Sequence, residues 1–157
     1  MLKQSITILG STGSVGQNAL DLIEASDEFE LFAISANKNI DLLLQQCRKF
    51  NPKIAVLADE SLADSFQTLL RQSDCDTELK IGPSALEEVA ADSRAQTIIA
   101  AIVGAAGLNS TMAAAKSGKK ILLANKEALV MSGDLFMQAA SVSGSTIIPI
   151  DSEHNAV

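Results

Sequence analysis

Near the end of the chain the stretch "PIDSEHN" places Asp151 and Glu153 two residues apart, directly after the apolar run "STIIPI" (145–150). In extended backbone, residues two apart project to the same side. Paired carboxylate oxygens suit Mg²⁺ or Mn²⁺, which also accept water and substrate oxygens. Two carboxylates leave an octahedral shell incomplete, so a further ligand is expected from elsewhere. On spacing alone a turn or a helix cap accounts for the pair equally well. His154, the only histidine, would point away from them.

A second kind of chemistry lies at the other end. "ITILGSTGSVGQNAL" sets Gly10, Gly13 and Gly16 between an apolar run and a helical pattern. Such a turn needs backbone angles that glycine permits, and an anion can approach it without meeting a Cβ. The following helix start offers unpaired N–H groups. Thr12 and Ser14 add hydroxyl donors. The spacing is G-x-x-G-x-x-G, one position from the commonest dinucleotide fingerprint, and its strand–turn–helix setting is the one that fingerprint requires. A tight turn with Ser14 as a simple helix cap is the alternative. An acid closing the second strand would grip the ribose 2′-hydroxyl of NAD. That place holds Asn37, Lys38 and Asn39, and the nearby acid Asp41 already belongs to the next helix. A cation flanked by amides suits a 2′-phosphate, which favours NADP; Lys38 as a solvated loop lysine is the competing account.

Two more turns carry small or polar groups. "VGAAGL" (103–108) either passes under a cofactor or simply leads into a helix. "LLANKEALV" (122–130) gathers Asn125, Lys126 and Glu127 after a buried strand. This is a candidate site if it lies at the mouth of a sheet, and otherwise an ordinary helix start. Lys116, Lys119 and Lys120 read as solvated charges near a helix end.

The elements that must position these groups alternate. Strands are expected at 5–10, 30–35, 53–58, 78–82 (a short edge strand), 97–103, 120–124 and 145–150. Helices are expected at 14–26, with Val15, Ala19, Leu22 and Ile23 on one face, and at 39–50, with Asn39 as N-cap. Further helices are expected at 61–72, from Pro83-Ser84 with Ser84 and Glu87 as a capping box, from about 109 to 116, and at 135–143. Strand–helix–strand repeats with short connections imply an α/β, doubly wound, mostly parallel Rossmann-like sheet with helices on both faces. Ligands of such sheets gather at the carboxyl ends of the strands.

The bulk properties agree. The chain has 157 residues, 47% hydrophobic and 20% charged, enough for one self-sufficient domain. A net charge of −7 with five Phe, no Trp and no Tyr argues against a nucleic-acid surface, which needs excess cations and stacking aromatics. The longest nearly apolar run, 97–108, is too short to span a bilayer, and the first residues show no signal core. Cys47 and Cys75 have no metal-binding spacing and read as free thiols, so a cytoplasmic location is expected.

Taken together, "ILGSTGSVGQNALD", "AIVGAAGL", "LLANKEALV" and "PIDSEHNA" resemble the 1-deoxy-D-xylulose 5-phosphate reductoisomerase family, from about residue 5 to the end. Residues 60–95 carry no signature. The resemblance implies an NADPH-binding domain over 1–150, with 151–157 opening a catalytic domain otherwise absent from the chain. It implies that Gly10, Thr12, Gly13, Ser14 and Val15 hold the cofactor diphosphate region and that Asn37, Lys38 and Asn39 face the adenosine phosphate. It further implies that Asn125, Lys126 and Glu127 line the nicotinamide and substrate side, with Lys126 and Glu153 as catalytic residues. Asp151 and Glu153 would bind Mg²⁺ or Mn²⁺, and Lys126, Ser152 and Glu153 would contact a phosphorylated, sugar-like substrate. The family usually has Gly where this chain has Asn37. The implied reaction is metal-assisted rearrangement to an aldehyde followed by reduction by NADPH, in isoprenoid biosynthesis. The full-length protein is expected to be a homodimer, free of nucleic acid and membrane, and the present chain inactive alone. Two rival readings remain: another NADP-dependent dehydrogenase of the semialdehyde or homoserine type, and a non-catalytic dinucleotide-sensing domain.

Overall fold

The computed structural model describes residues 3–150. Seven strands form one parallel sheet: β1 (Gln4–Leu9), β2 (Phe29–Ala36), β3 (Ile54–Leu57), β4 (Glu78–Ile81), β5 (Thr97–Ala100), β6 (Lys120–Leu123) and β7 (Thr146–Pro149). Six α-helices connect them: α1 (Ser14–Glu24), α2 (Ile40–Phe50), α3 (Ala63–Arg71), α4 (Pro83–Ala91), α5 (Leu108–Ala115) and α6 (Lys126–Ser143). The doubly wound α/β reading is correct, with every strand pair parallel.

The strand order is β4-β3-β2-β1-β5-β6-β7. The chain walks outward from β1 to the β4 edge, then α4 carries it back to start again beside β1. The order therefore reverses between β1 and β5, and loops on either side of that point diverge and leave a crevice. Each face of the sheet has its own aliphatic core. Ile6, Ile8, Ile34 and Leu57 pack with Leu20 of α1, Leu43 of α2 and Phe66 of α3 on one face. Leu9, Val56, Ile98 and Ile121 pack with Val89 of α4, Ala114 of α5 and Phe136 of α6 on the other. Strands buried on both faces read as unbroken apolar runs, as "TIIA" does here.

Four local expectations need correction. On α1 the buried residues are Gly16, Leu20 and Ile23, while Leu22 is 73% exposed. The backbone of Gly16 fits against the turn, which rotates the helix away from the expected stripe. α4 starts at Pro83 with Gly82 as N-cap and no side-chain cap, so Ser84 lies inside the first turn and does not form the capping box. Helix α6 begins at Lys126, nine residues early, because the chain kinks at Ser132 (φ −143, ψ 24) and continues helical. Lys119 is buried, not solvated. Its ammonium donates to the carbonyls of Asp92 and Ala95, tying the start of β6 to the turn between α4 and β5. Burial draws its pKa below the ordinary lysine value. Cys47 and Cys75 are free thiols, and burial pushes Cys47 up to about 12.

Candidate nucleotide site at the carboxyl rim

Residues 10–16 turn the chain from β1 into α1, and each glycine has a distinct reason to be there. Gly10 has φ +86, and a Cβ on it would stand 2.8 Å from the carbonyl oxygen of Ala101. Gly16 lets α1 seat on the turn: a Cβ there would lie 2.2 Å from the Gly10 carbonyl oxygen. Gly13 differs. Its φ is −79, and a Cβ would meet nothing closer than the Gly10 oxygen at 3.6 Å. The protein itself therefore does not require glycine at 13. Gly13 and Ser14 are exposed, and Thr12 and Val15 half-buried. Gly13 is the N-cap of α1 and supplies no side-chain cap. The first-turn N–H groups carry the positive end of the helix dipole. The Gly13 N–H donates to Gly10 O at 3.2 Å, so the N–H groups of Ser14 and Val15 are the ones that could receive an anion.

The turn rests on a buried polar network that the sequence pattern did not reveal. Ser11 N donates to Ser35 O at 2.9 Å, and Gly10 N donates to Ser35 Oγ at 2.8 Å. Ser11 Oγ donates to Gln46 Oε1 at 2.7 Å, while Gln46 Nε2 donates back to Ser11 O at 2.9 Å. Ser11, Ser35 and Gln46 are all buried.

Beside this turn, β2 ends and Asn37, Lys38 and Asn39 follow, all exposed. Asn39 caps α2 by accepting from Leu42 N at 3.2 Å, as expected. The adjacent β3 brings an acid that residue order alone did not flag. Asp59 N donates to Asn37 O at 3.1 Å. The Asp59 carboxylate accepts from Ser61 Oγ at 2.6 Å and Ser61 N at 3.0 Å. These bonds, with a smaller contribution from the Lys38 charge, hold it below the usual carboxylate range. Asp59 is thus a fixed anion near Lys38. The register of β3 against β2 was the available signal, because it puts residue 59 level with the 37–39 loop.

Across the crevice, two sequence-distant motifs meet. Asn125 Nδ2 donates to Ile102 O at 3.0 Å and to Gly104 O at 2.8 Å. Its Oδ1 accepts from Glu127 N at 3.0 Å and caps α6. Both amide hydrogens of Asn125 are therefore spent on the protein. Its role in the structure is to bind the 102–104 turn to the start of α6, which limits it as a direct ligand for a cofactor. Glu127 is exposed, with Oε2 3.9 Å from where a Gly104 Cβ would stand. α5, like α1, starts at a glycine without a side-chain cap. The Lys126 side chain and residues Asp151, Ser152 and Glu153 lie outside the described residues. Among those described, no cluster of three or more His, Cys, Asp or Glu could hold a metal ion. β7 runs parallel to β6, so residue 150 leaves the sheet at this same rim.

Comparison with known proteins follows the same lines. Residues 6–133 match the family model described as 1-deoxy-D-xylulose 5-phosphate reductoisomerase. The reductoisomerase of Paraburkholderia phytofirmans is 48% identical over 157 residues, which cover 99% of this chain and 39% of that protein. The Zymomonas mobilis reductoisomerase in complex with NADPH superposes with a TM-score of 0.91 at 42% identity, covering 98% of this chain and 40% of that one. A DOX-P reductoisomerase crystallised with NADPH, fosmidomycin and magnesium gives 0.92 at 42% identity, over 97% of this chain and 37% of that one. The chain spans about two fifths of the length of the curated relatives it matches.

Proposed function

The chain belongs to the 1-deoxy-D-xylulose 5-phosphate reductoisomerase family, and from that premise we propose that residues 1–150 are its NADPH-binding domain. In the family reaction, 1-deoxy-D-xylulose 5-phosphate becomes 2-C-methyl-D-erythritol 4-phosphate. The observation that carries the proposal is the bare Gly13 at the uncapped start of α1, a position that the fold leaves open and that an anion would fill. Peptide N–H groups of Ser14 and Val15, with the Thr12 and Ser14 hydroxyls, donate to the diphosphate, which lies against bare Gly13, whose own N–H donates to Gly10 O at 3.2 Å. Gly10 lets the turn pass close to the β5 end. Asn37, Lys38 and the amide NH₂ of Asn39 take the adenosine 2′-phosphate, with Asp59 fixing the charge balance beside Lys38. Asn125 holds the 102–104 turn and the α6 start in place, and Lys126 and Glu127 face the nicotinamide and substrate.

Bound NADPH supplies the hydride, and a Mg²⁺ or Mn²⁺ ion draws charge from adjacent substrate oxygens. For that ion we propose Asp151 and Glu153, with Ser152 on the phosphorylated, sugar-like substrate and Lys126 and Glu153 catalytic. The relatives' complexes with NADPH and with magnesium support a cofactor site and a divalent-cation site of this kind. We further propose that residues 151–157 begin the catalytic domain and that the full-length enzyme is a homodimer in the cytoplasm. No helix among the described residues is long and apolar enough to cross a membrane.

Calorimetric titration of the chain with NADPH and NADH tests the reading. NADPH is expected to bind with a single site and about tenfold or more preference over NADH, the weight of one phosphate–lysine contact. Equal, weak binding would remove Lys38 from the site, and no binding of either would remove the proposal.

A further inference from the structure

A buried glutamine behind a phosphate turn needs a reason, because an aliphatic residue would pack there at less desolvation cost. Gln46 sits in the middle of α2 on the face turned toward the sheet, between Leu43 and Cys47, which are fully buried. Its side chain makes no bond within its own helix. Both ends of its amide go to one residue of the glycine turn: Oε1 accepts from Ser11 Oγ, and Nε2 donates to Ser11 O. Ser11 and Gly10 are in turn bonded to Ser35 at the end of β2. Three successive peptides of the turn are thus fixed by α2 and β2, through Gly10 N, Ser11 N and Ser11 O, while Gly13 and Ser14 are left exposed.

We propose that Gln46 is a positioning residue for the dinucleotide diphosphate. It sets the Ser11 peptide, and through it the direction of the N–H groups that follow at Ser14 and Val15, without touching the ligand. The proposal rests on the dinucleotide reading above. An anion cradle of peptide N–H groups works by being held in place before the ligand arrives, so loosening its support lowers affinity while leaving the contacts available. The reciprocal pair also specifies the residue type. A carboxylate at 46 would accept from Ser11 Oγ but face Ser11 O without a hydrogen. A protonated carboxyl would restore both bonds.

The test uses Gln46→Leu and Gln46→Glu in the 157-residue chain, with NADPH and 2′-AMP as probes. 2′-AMP carries the 2′-phosphate but no diphosphate. Gln46→Leu is expected to weaken NADPH about tenfold or more while leaving 2′-AMP binding unchanged. Gln46→Glu is expected to bind NADP⁺ poorly at pH about 8 and to recover as pH falls toward about 6, because burial raises the carboxyl pKa. Equal loss of NADPH and 2′-AMP, or no recovery of Gln46→Glu at low pH, would reduce Gln46 to a purely structural role and overturn the proposal. Unchanged NADPH binding by Gln46→Leu would overturn it as well. Failure of the wild-type chain to bind NADPH would instead reject the dinucleotide reading on which it stands. If Gln46→Leu does not fold, the pH series on Gln46→Glu decides alone.

Discussion

Gly13 and Gly16 lie three residues apart in one motif, yet they answer to different demands. At 16 the helix backbone is packed so close to the turn that a methyl would enter the Gly10 carbonyl. At 13 a methyl fits the protein and obstructs only an incoming anion. Gly16→Ala is therefore expected to destabilise the fold by about 3 kcal/mol, as overpacking does. Gly13→Ala is expected to leave the thermal midpoint within about 2 °C of wild type while cutting NADPH affinity by about tenfold or more. Thermal unfolding and a binding titration on each variant separate the two. Glycine spacing in the sequence pointed to this turn, but could not say which glycine the fold requires and which it leaves free. That difference depends on what lies across from each Cα. The same holds for Lys38, whose fixed neighbour Asp59 comes from another strand, and for Lys119, whose partners lie 24 and 27 residues earlier.

At the scale of elements, α6 shows how local pattern is overridden. "KEALVMSGDLFMQAASVS" has a Ser-Gly pair near its middle, which reads as a loop before a helix. The chain helixes through it at the cost of a kink at Ser132, because Ala128 and Phe136 on either side bury into the same core. Asn125 starts this helix and also holds the 102–104 turn. Asn125→Ala would lose the cap and leave the Ile102 and Gly104 carbonyls short of a donor. It is expected to lower stability by about 2 kcal/mol, read by urea denaturation. Loss of less than about 0.5 kcal/mol would show that the two loops do not depend on it. The strands were more legible than the helix starts. Both faces of the central strands are covered, so β3 and β5 are buried along their whole length, whereas helix ends answer to caps that tertiary contacts can replace.

The whole molecule follows from strict alternation of strand and helix, and the alternation was plain in the sequence. Parallel strands put every glycine-rich or polar turn (10–16, 37–39, 101–107 and 124–127) on one rim, with the order reversing at β1 and β5. What residue order did not contain was lateral contact: Gln46 under Ser11, Asp59 beside Asn37, Asn125 on Gly104. Each is set by strand register or by how a helix docks on the sheet, and cannot be read from neighbours along the chain. The same scale bounds activity. Asp151 and Glu153, the ligands proposed above, would fill two positions of an octahedral shell, and the chain covers 39% of a relative's length. Steady-state assay with 1-deoxy-D-xylulose 5-phosphate, NADPH and Mn²⁺ is expected to show negligible turnover by these 157 residues, and robust turnover would contradict that expectation.

The proposed diphosphate cradle is the set of free peptide N–H groups at the start of α1. Amide chemical shifts recorded while NADP⁺ is added to ¹⁵N-labelled protein test it most directly. Saturable shifts are expected, largest at Gly13, Ser14 and Val15, with further shifts at Lys38 and Gly104 and none at Lys53 or Arg94 on the opposite rim. Shifts centred on Lys53 and Arg94, with the 13–15 amides unmoved at saturation, would contradict it.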